Sequence, residues 1–294
     1  MKRRILENLT VALSWVAGLT LLTAVFLLIG YLFFKGFQTI KLSLVFGDTP
    51  PLRAILLQER VFDGLFPAIA GTLVLVVLSI ILALPLGVAT GIYLAEYAEA
   101  RMKRVLDAFF DVLAGIPSIV VGLFGFSFAV FLHKHYSDRI GPCLLISSLA
   151  LSFLVLPYII RTTQAALEGI PRDIRLTALA LGATRFQNIF LVLVPKSLVG
   201  IMSGIILAIG RCAEDTAVIM LTGAVATAGL PRSIFSQYEA LPFYIYYISS
   251  QYANPEELMR GYGASIILLI LCAVLFSVAY GIRKGLAYLA FYRP

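Results

Sequence analysis

PAIAGTLVLVVLSIILALPLGVATGIYLA, residues 67–95, runs for 29 positions without one charged side chain. A helix needs about 20 such residues to cross a hydrocarbon core about 30 Å thick, so this stretch is read as a membrane span. Pro85 and Gly87 lie inside it and would bend it, a break that membrane helices tolerate. Reading outward finds five further apolar runs, at 11–34, 116–132, 143–160, 198–225 and 263–282. Composition agrees: 60% of the 294 residues are hydrophobic, 13% are charged, and the mean hydropathy is +0.95. Soluble domains carry about 25% charged residues. The expected fold class is all-α, a polytopic membrane protein with six transmembrane helices.

The first run follows Met1-Lys2-Arg3-Arg4 and ends in Gly30-Tyr31-Leu32-Phe33-Phe34. It is too long for the core of a signal peptide and lacks a small-x-small cleavage site, so an uncleaved span is expected. Six crossings put both termini on one side. If that side is the cytoplasm, its segments hold 14 basic residues against 8 in the opposite loops, the asymmetry that sets orientation. The net charge of +7 then serves orientation and contact with anionic lipid of the bilayer. Basic and aromatic residues do not interleave as a nucleic-acid surface would require, so no nucleic acid is expected as a partner. Cys143, Cys212 and Cys272 stand without ligand spacing and are read as lone thiols. His133 and His135 flank Lys134 in a polar loop. No metal and no cofactor are expected. The chain divides into an N-terminal transmembrane helix (1–40), a periplasmic loop (41–66) and a transmembrane domain (67–290) whose cytoplasmic loop is 161–196.

That loop is built as two short helices. Pro171 suits a helix start, where its missing N–H is no loss. Ile174, Ala178 and Leu181 recur at helical spacing, and Gly182 stands where a left-handed cap is wanted. Thr184 with Gln187 three residues on reads as a capping box. Phe186, Ile189, Phe190 and Leu193 give the second helix its apolar face, and Pro195 is expected to close it. The spacing alone fits a helix pair lying on the membrane surface equally well.

Arg211, Glu214 and Asp215 are expected near the middle of the fifth span, the two acids three and four residues beyond the guanidinium on one helix face. An arginine at mid-bilayer costs about 2.5–3.5 kcal/mol even on the lenient insertion scale. One reading is an internal ion pair that glues helices together. The other is a pathway: a planar fork of donors that cannot lose its charge matches a tetrahedral oxyanion. A nearby carboxylate keeps the anion from being held too tightly and accepts a proton-bearing oxygen, which sulfate lacks. On that reading Asp215→Asn lets sulfate compete.

The order of residues also carries a resemblance. Leu176-Thr177-Ala178-Leu179-Ala180-Leu181-Gly182-Ala183, followed by Val192-Leu193-Val194-Pro195, resembles the EAA loop of ABC-importer permeases. Ala178, Gly182 and Pro195 match with the spacing kept. Leu176 stands for the acidic residue, Thr177 for the first alanine and Val194 for leucine. Arg211-Cys212-Ala213-Glu214-Asp215-Thr216-Ala217 is similar to the Arg-x-x-Gly-Glu-Thr-Ala segment of phosphate-specific permeases, with Asp215 at the acidic position and Glu214 at the glycine. The run from Leu113 to Gly125, with Pro117-Ser118, looks like that branch's Ala-Gly-x-Pro-Ser-Ile-Val-x-Gly-Leu stretch and makes Ser118 a pathway candidate. Leu221-Thr222-Gly223-Ala224 and the run 241–246 look more like its A-type than its C-type subunit.

The resemblance implies a type I ABC importer permease fold (MetI-like), a core of about five helices with one extra span before it, in a bacterial inner membrane with both termini cytoplasmic. It implies a substrate pathway at Arg211, Asp215, Glu214, Thr216 and Ser118, and an ATPase coupling loop at Thr177, Ala178, Gly182, Ala183 and Pro195. The implied partners are a second homologous permease subunit, a cytoplasmic ABC ATPase dimer, a periplasmic phosphate-binding protein and inorganic phosphate itself. The chain has no Gly-x-x-x-x-Gly-Lys-Ser/Thr to cradle nucleotide phosphates, so it is expected not to be an enzyme, ATP being hydrolysed by the partner. Its rivals are a permease for another oxyanion such as molybdate or phosphonate, an ion-coupled secondary carrier working alone, and a membrane sensor of phosphate supply.

Overall fold

The computed structural model describes residues 2–56, 61, 64–137 and 141–292. Thirteen α-helices follow one another among them: α1 (Lys2–Gly36), α2 (Leu42–Phe46), α3 (Pro51–Ile55), α4 (Phe66–Glu96), α5 (Ala100–Ala114), α6 (Ser118–His135), α7 (Leu144–Glu168), α8 (Arg172–Ala180), α9 (Arg185–Asn188), α10 (Val194–Glu214), α11 (Ala217–Thr222), α12 (Leu241–Gln251) and α13 (Pro255–Tyr292). Six helical stretches of the described residues are long and apolar enough to cross a membrane, each overlapping one of the six expected runs. The first and last are longer than their apolar cores.

Small residues set the packing, as they do where lipid offers no hydrophobic drive between helices. At the centre, α4 lies against α7 with Gly87 facing Ile159 and Gly91 facing Thr163; a Cβ on Gly91 would stand 2.6 Å from Thr163 Cβ. Next, α10 runs antiparallel to α7, Gly200 touching Ala166 and Gly204 touching Thr162. On its other side Gly210 faces Phe276 of α13. Leu75, Leu151, Val155, Ile159, Ala208, Cys212 and Ile219 bury the core where these helices meet. The first helix packs on α13 near its end, through Gly36 against Ile266 and Tyr31 edge-on to Tyr262. The rest of α1 leaves Trp15, Leu21 and Leu28 exposed.

Two expected boundaries move. The fourth span does not end near residue 160: α7 continues to Glu168, so Arg161 sits in a helix and not in a loop. It can do so because α5 supplies counter-charges. Arg161 Nη1 donates to Asp107 Oδ1 at 2.5 Å, Nη2 donates to Asp111, and Lys103 pairs with Glu168 at 2.7 Å. Pro195 does not close the second short helix either. After α9 the chain winds through a π-helical turn, Ile189–Leu193, straight into α10, whose first turn holds Pro195. The widened turn precedes the one residue that has no N–H to contribute.

The fifth span is also shorter than expected. It breaks after Glu214, Asp215 is extended (φ −75°, ψ 117°), and α11 begins at Ala217. Gly223 then turns the chain at φ +152°, where a Cβ would meet the backbone of Cys143 at 2.6 Å. Residues 224–240 fold back over the end of the bundle opposite α8. Leu144 and Leu145 at the start of α7 donate to Ser236 and Ile234 carbonyls, and Val225 donates to Tyr238. Leu241 N–H bonds the Thr72 hydroxyl of α4.

Candidate translocation site

Arg211 occupies the last turn of α10, where the helix's unsatisfied carbonyls favour a cation. Its Nη1 donates to Glu214 Oε1 at 2.9 Å, and its Nη2 lies 3.8 Å from Asp215 Oδ2. Its Nε is buried with no acceptor among the described residues. The two acids differ sharply: the Glu214 side chain is 63% exposed and that of Asp215 3%. Asp215 also accepts the Val218 N–H on Oδ1 at 2.9 Å, which satisfies one of the orphan donors at the start of α11. Thr216 is the half-buried hinge residue between the two helices, its carbonyl accepting from Met220.

Neighbouring helices converge on this break. Tyr158 of α7 stands near the Arg211 charge, and Ser79 of α4 lies within hydrogen-bonding reach of Cys212. On the fourth side α6 runs parallel to α11, Gly122 meeting Ala217 and Val218, and Gly125 meeting Thr222. Ser118, one turn before Gly122 on the same face and half-buried, stands at the start of α6, on the side that faces α11. Of the sequence-predicted residues, Arg211, Glu214, Asp215 and Thr216 thus meet at the end of a helix and not at the middle of a continuous one, while Ser118 stands on the neighbouring α6.

The residues expected to couple lie at the far end of α7. Thr177 and Ala178 are on α8; Gly182, at φ +88°, and Ala183 form the turn after it. Ala183 N–H bonds Ala178 O and Gly182 N–H bonds Leu179 O, the Schellman pattern that ends a helix. Thr184 and Gln187 make the reciprocal capping box. The expected apolar faces split. Ile189 and Leu193 are buried and Ile174 packs on them, whereas Leu181, Phe186 and Phe190 are exposed, Leu181 at 85%, as is Leu176 outside those faces. Sequence reasoning did not find the α5–α7 ion pairs. Their signal was the spacing of Asp107 with Asp111, and of Arg161 with Gln164 and Glu168, polar positions that recur on one face of each helix.

A sequence profile described as the inner membrane component of binding-protein-dependent transport systems matches residues 87–287. The chain belongs to that family. Within this inner membrane component the match takes in α5 to α12 whole, and so both the break at Arg211 and the α8–α9 turn. The chain is 35% identical over 239 residues to the phosphate transport system permease protein PstA 1 of Mycobacterium tuberculosis, covering 80% of this chain and 75% of that one. It is 33% identical over 267 residues to the phosphate transport system permease protein PstA of Yersinia pestis, covering 88% and 84%. Among solved structures, a bacterial alginate ABC transporter chain matches with a TM-score of 0.64 at 17% identity, over 93% of this chain and 95% of that one. A chain of the inward-facing MetNI methionine ABC transporter matches with 0.56 at 20%, over 81% and 99%. The fold is that of a type I ABC importer permease.

Proposed function

We propose that this chain is the A-type permease subunit of an ATP-driven importer of inorganic phosphate. It would line the pathway together with a homologous second permease, receive phosphate from a periplasmic binding protein, and be driven by a cytoplasmic ATPase pair. The observation that carries this reading is Arg211 at a broken span, tied to one exposed and one buried carboxylate. The PstA names of the relatives point the same way. Both termini and the α8–α9 turn are assigned to the cytoplasm, where the exposed Leu176, Leu181, Phe186 and Phe190 suit a groove on the ATPase.

The two acids divide the work. Asp215 has one oxygen committed to α11 and holds the guanidinium in place. Glu214 is the partner that an arriving anion can displace, and its carboxylate can accept the proton-bearing oxygen of phosphate. Sulfate brings no proton and is repelled, which is selectivity by rejection. The test is uptake by the reconstituted importer supplied with phosphate-loaded binding protein. Arg211→Gln is expected to abolish uptake. Asp215 is buried and bonded to Val218 whereas Glu214 is exposed, so the variant expected to let sulfate compete is Glu214→Gln in place of Asp215→Asn. Full uptake by Arg211→Gln, or uptake of molybdate or a phosphonate in preference to phosphate, would overturn the assignment.

A further inference from the structure

Arg175 of α8 joins four segments of the chain. Its Nη1 donates to Glu96 Oε1, on the last residue of α4, at 2.7 Å. Its Nε donates to Ile170 O at 3.2 Å and its Nη2 to Leu167 O, so the same guanidinium caps the end of α7. Its backbone carbonyl accepts from Asn188 Nδ2 of α9 at 3.0 Å, and Asn188 is 4% exposed. A second link runs alongside, with the Arg185 guanidinium 5.9 Å from the Tyr97 ring just past α4.

The pair is shielded. The Glu96 and Arg175 side chains are 12% and 22% exposed. Ile92, Leu167, Ile170, Ile189 and Leu193 form a buried apolar cluster among the same segments. Screening by salt and water is weaker there than on an open surface. By contrast α8 buries none of its residues fully and sets Ile174 alone against this cluster, so apolar packing gives it limited grip on the spans. A forked, charge-assisted contact is directional where apolar contact is not. The acidic position of the coupling loop is Leu176 here, and the carboxylate that meets Arg175 comes instead from the end of a span. Beyond Glu96, α4 and α7 are locked by the Gly87 and Gly91 contacts, and α7 carries Tyr158 up to Arg211.

We propose that the Arg175–Glu96 pair is the clasp through which movement of α8 reaches α4 and α7, keeping ATP turnover in step with opening at Arg211. This rests on the permease reading above. Arg175 and Glu96 are positioning residues, remote from the transported anion.

The test uses the complete importer in proteoliposomes, with phosphate-loaded binding protein outside, and measures uptake and ATP hydrolysis in the same vesicles. Glu96→Gln keeps the shape of the side chain and removes its charge. Phosphate taken up per ATP is expected to fall about fivefold or more, the size of an ordinary coupling energy, with Glu96→Asp restoring most of it. A structural weakening would lower uptake and hydrolysis together, and an equal fall in both would overturn the proposal, as would an unchanged ratio. A second measurement does not depend on the cargo. Spin labels at Asp173→Cys and Tyr93→Cys, with Cys272→Ala, are expected to keep their separation when ATP binds the otherwise unaltered complex, and to separate in Glu96→Gln. A fixed distance in both overturns the clasp. A wild-type complex that imports no phosphate while the labels behave as expected refutes the phosphate assignment alone. Should Glu96→Gln fail to assemble, Arg175→Lys, which keeps the charge and loses the fork, takes its place. Failure of both to assemble would make the pair structural only and overturn the proposal.

Discussion

Asp215 holds its Oδ2 3.8 Å from Arg211 Nη2 while its Oδ1 accepts the Val218 N–H at 2.9 Å. One carboxylate therefore faces the last basic residue of α10 and starts α11. A break inside a span exposes backbone groups that lipid cannot satisfy, and this side chain meets one of them at the point where the chain turns.

Asp215→Ala is expected to lower stability by about 0.5–2 kcal/mol, the usual cost of a lost helix cap. Asp215→Asn retains an oxygen for Val218 and is expected to cost less. Thermal melts of the detergent-purified variants decide this. Identical losses for both substitutions would mean that the cap contributes nothing and the charge everything.

The six spans and the α8–α9 turn were legible because their signals are local. Apolar length alone marks a span, Gly182 marks a left-handed cap and Thr184-x-x-Gln187 a capping box. The break at Asp215 was hidden because residues 217–222 are apolar enough to continue the helix. The Asp215 bond to Val218 N–H and the packing of α11 on Gly122 and Gly125 of α6, both set by the fold, accompany the break. Arg161 was misplaced for the opposite reason. Its charge reads as a loop until Asp107 and Asp111, 54 and 50 residues earlier in the chain, are set beside it by the fold.

The α5–α7 ion pairs should rank by exposure. Asp107 is 26% exposed and meets Arg161 Nη1 through Oδ1, Arg161 Nη2 through its carbonyl, and Gln164 Nε2. Asp111 is 70% exposed and meets Arg161 alone of these. Asp107→Asn is expected to cost about 1–3 kcal/mol, as for a half-buried charged hydrogen bond left short of its partner. Asp111→Asn is expected to cost under about 1 kcal/mol. Melts of the two variants in one detergent check the order, and a reversed order refutes it.

Close contact between α7 and α10 should make Gly204 intolerant of even a methyl group. A Cβ there would run into Thr162. The Thr162 hydroxyl is held by the Tyr158 carbonyl at 2.7 Å, so it has little freedom to move aside. Gly204→Ala is expected to destabilise by about 1–3 kcal/mol, the range for overpacking. Gly18→Ala on α1, where a Cβ meets nothing within 4 Å, is the matched control and should change the melting temperature little.

Glu239 makes the folded-back segment sensitive to pH. It is 9% exposed and accepts the Gly229 N–H at 2.7 Å. Burial raises its pKa above the ordinary 4.5, and the Gly229 hydrogen bond opposes that rise without cancelling it. A raised value means that the folded protein holds the proton more tightly than the unfolded chain does. Between the ordinary and the raised values the folded state carries more protons, so stability is gained as pH falls through that window and lost as pH rises through it. Glu239→Gln keeps an acceptor for Gly229 and cannot ionise. On lowering the pH from neutrality toward the ordinary carboxylate value, the wild-type melting temperature is expected to rise relative to that of Glu239→Gln, with the variant the more stable above the window. Every other ionisable group is common to both proteins, so the difference between the two curves isolates this one group. Parallel curves would mean that Glu239 ionises in the folded protein as freely as in the unfolded chain, and that the Gly229 contact outweighs its burial.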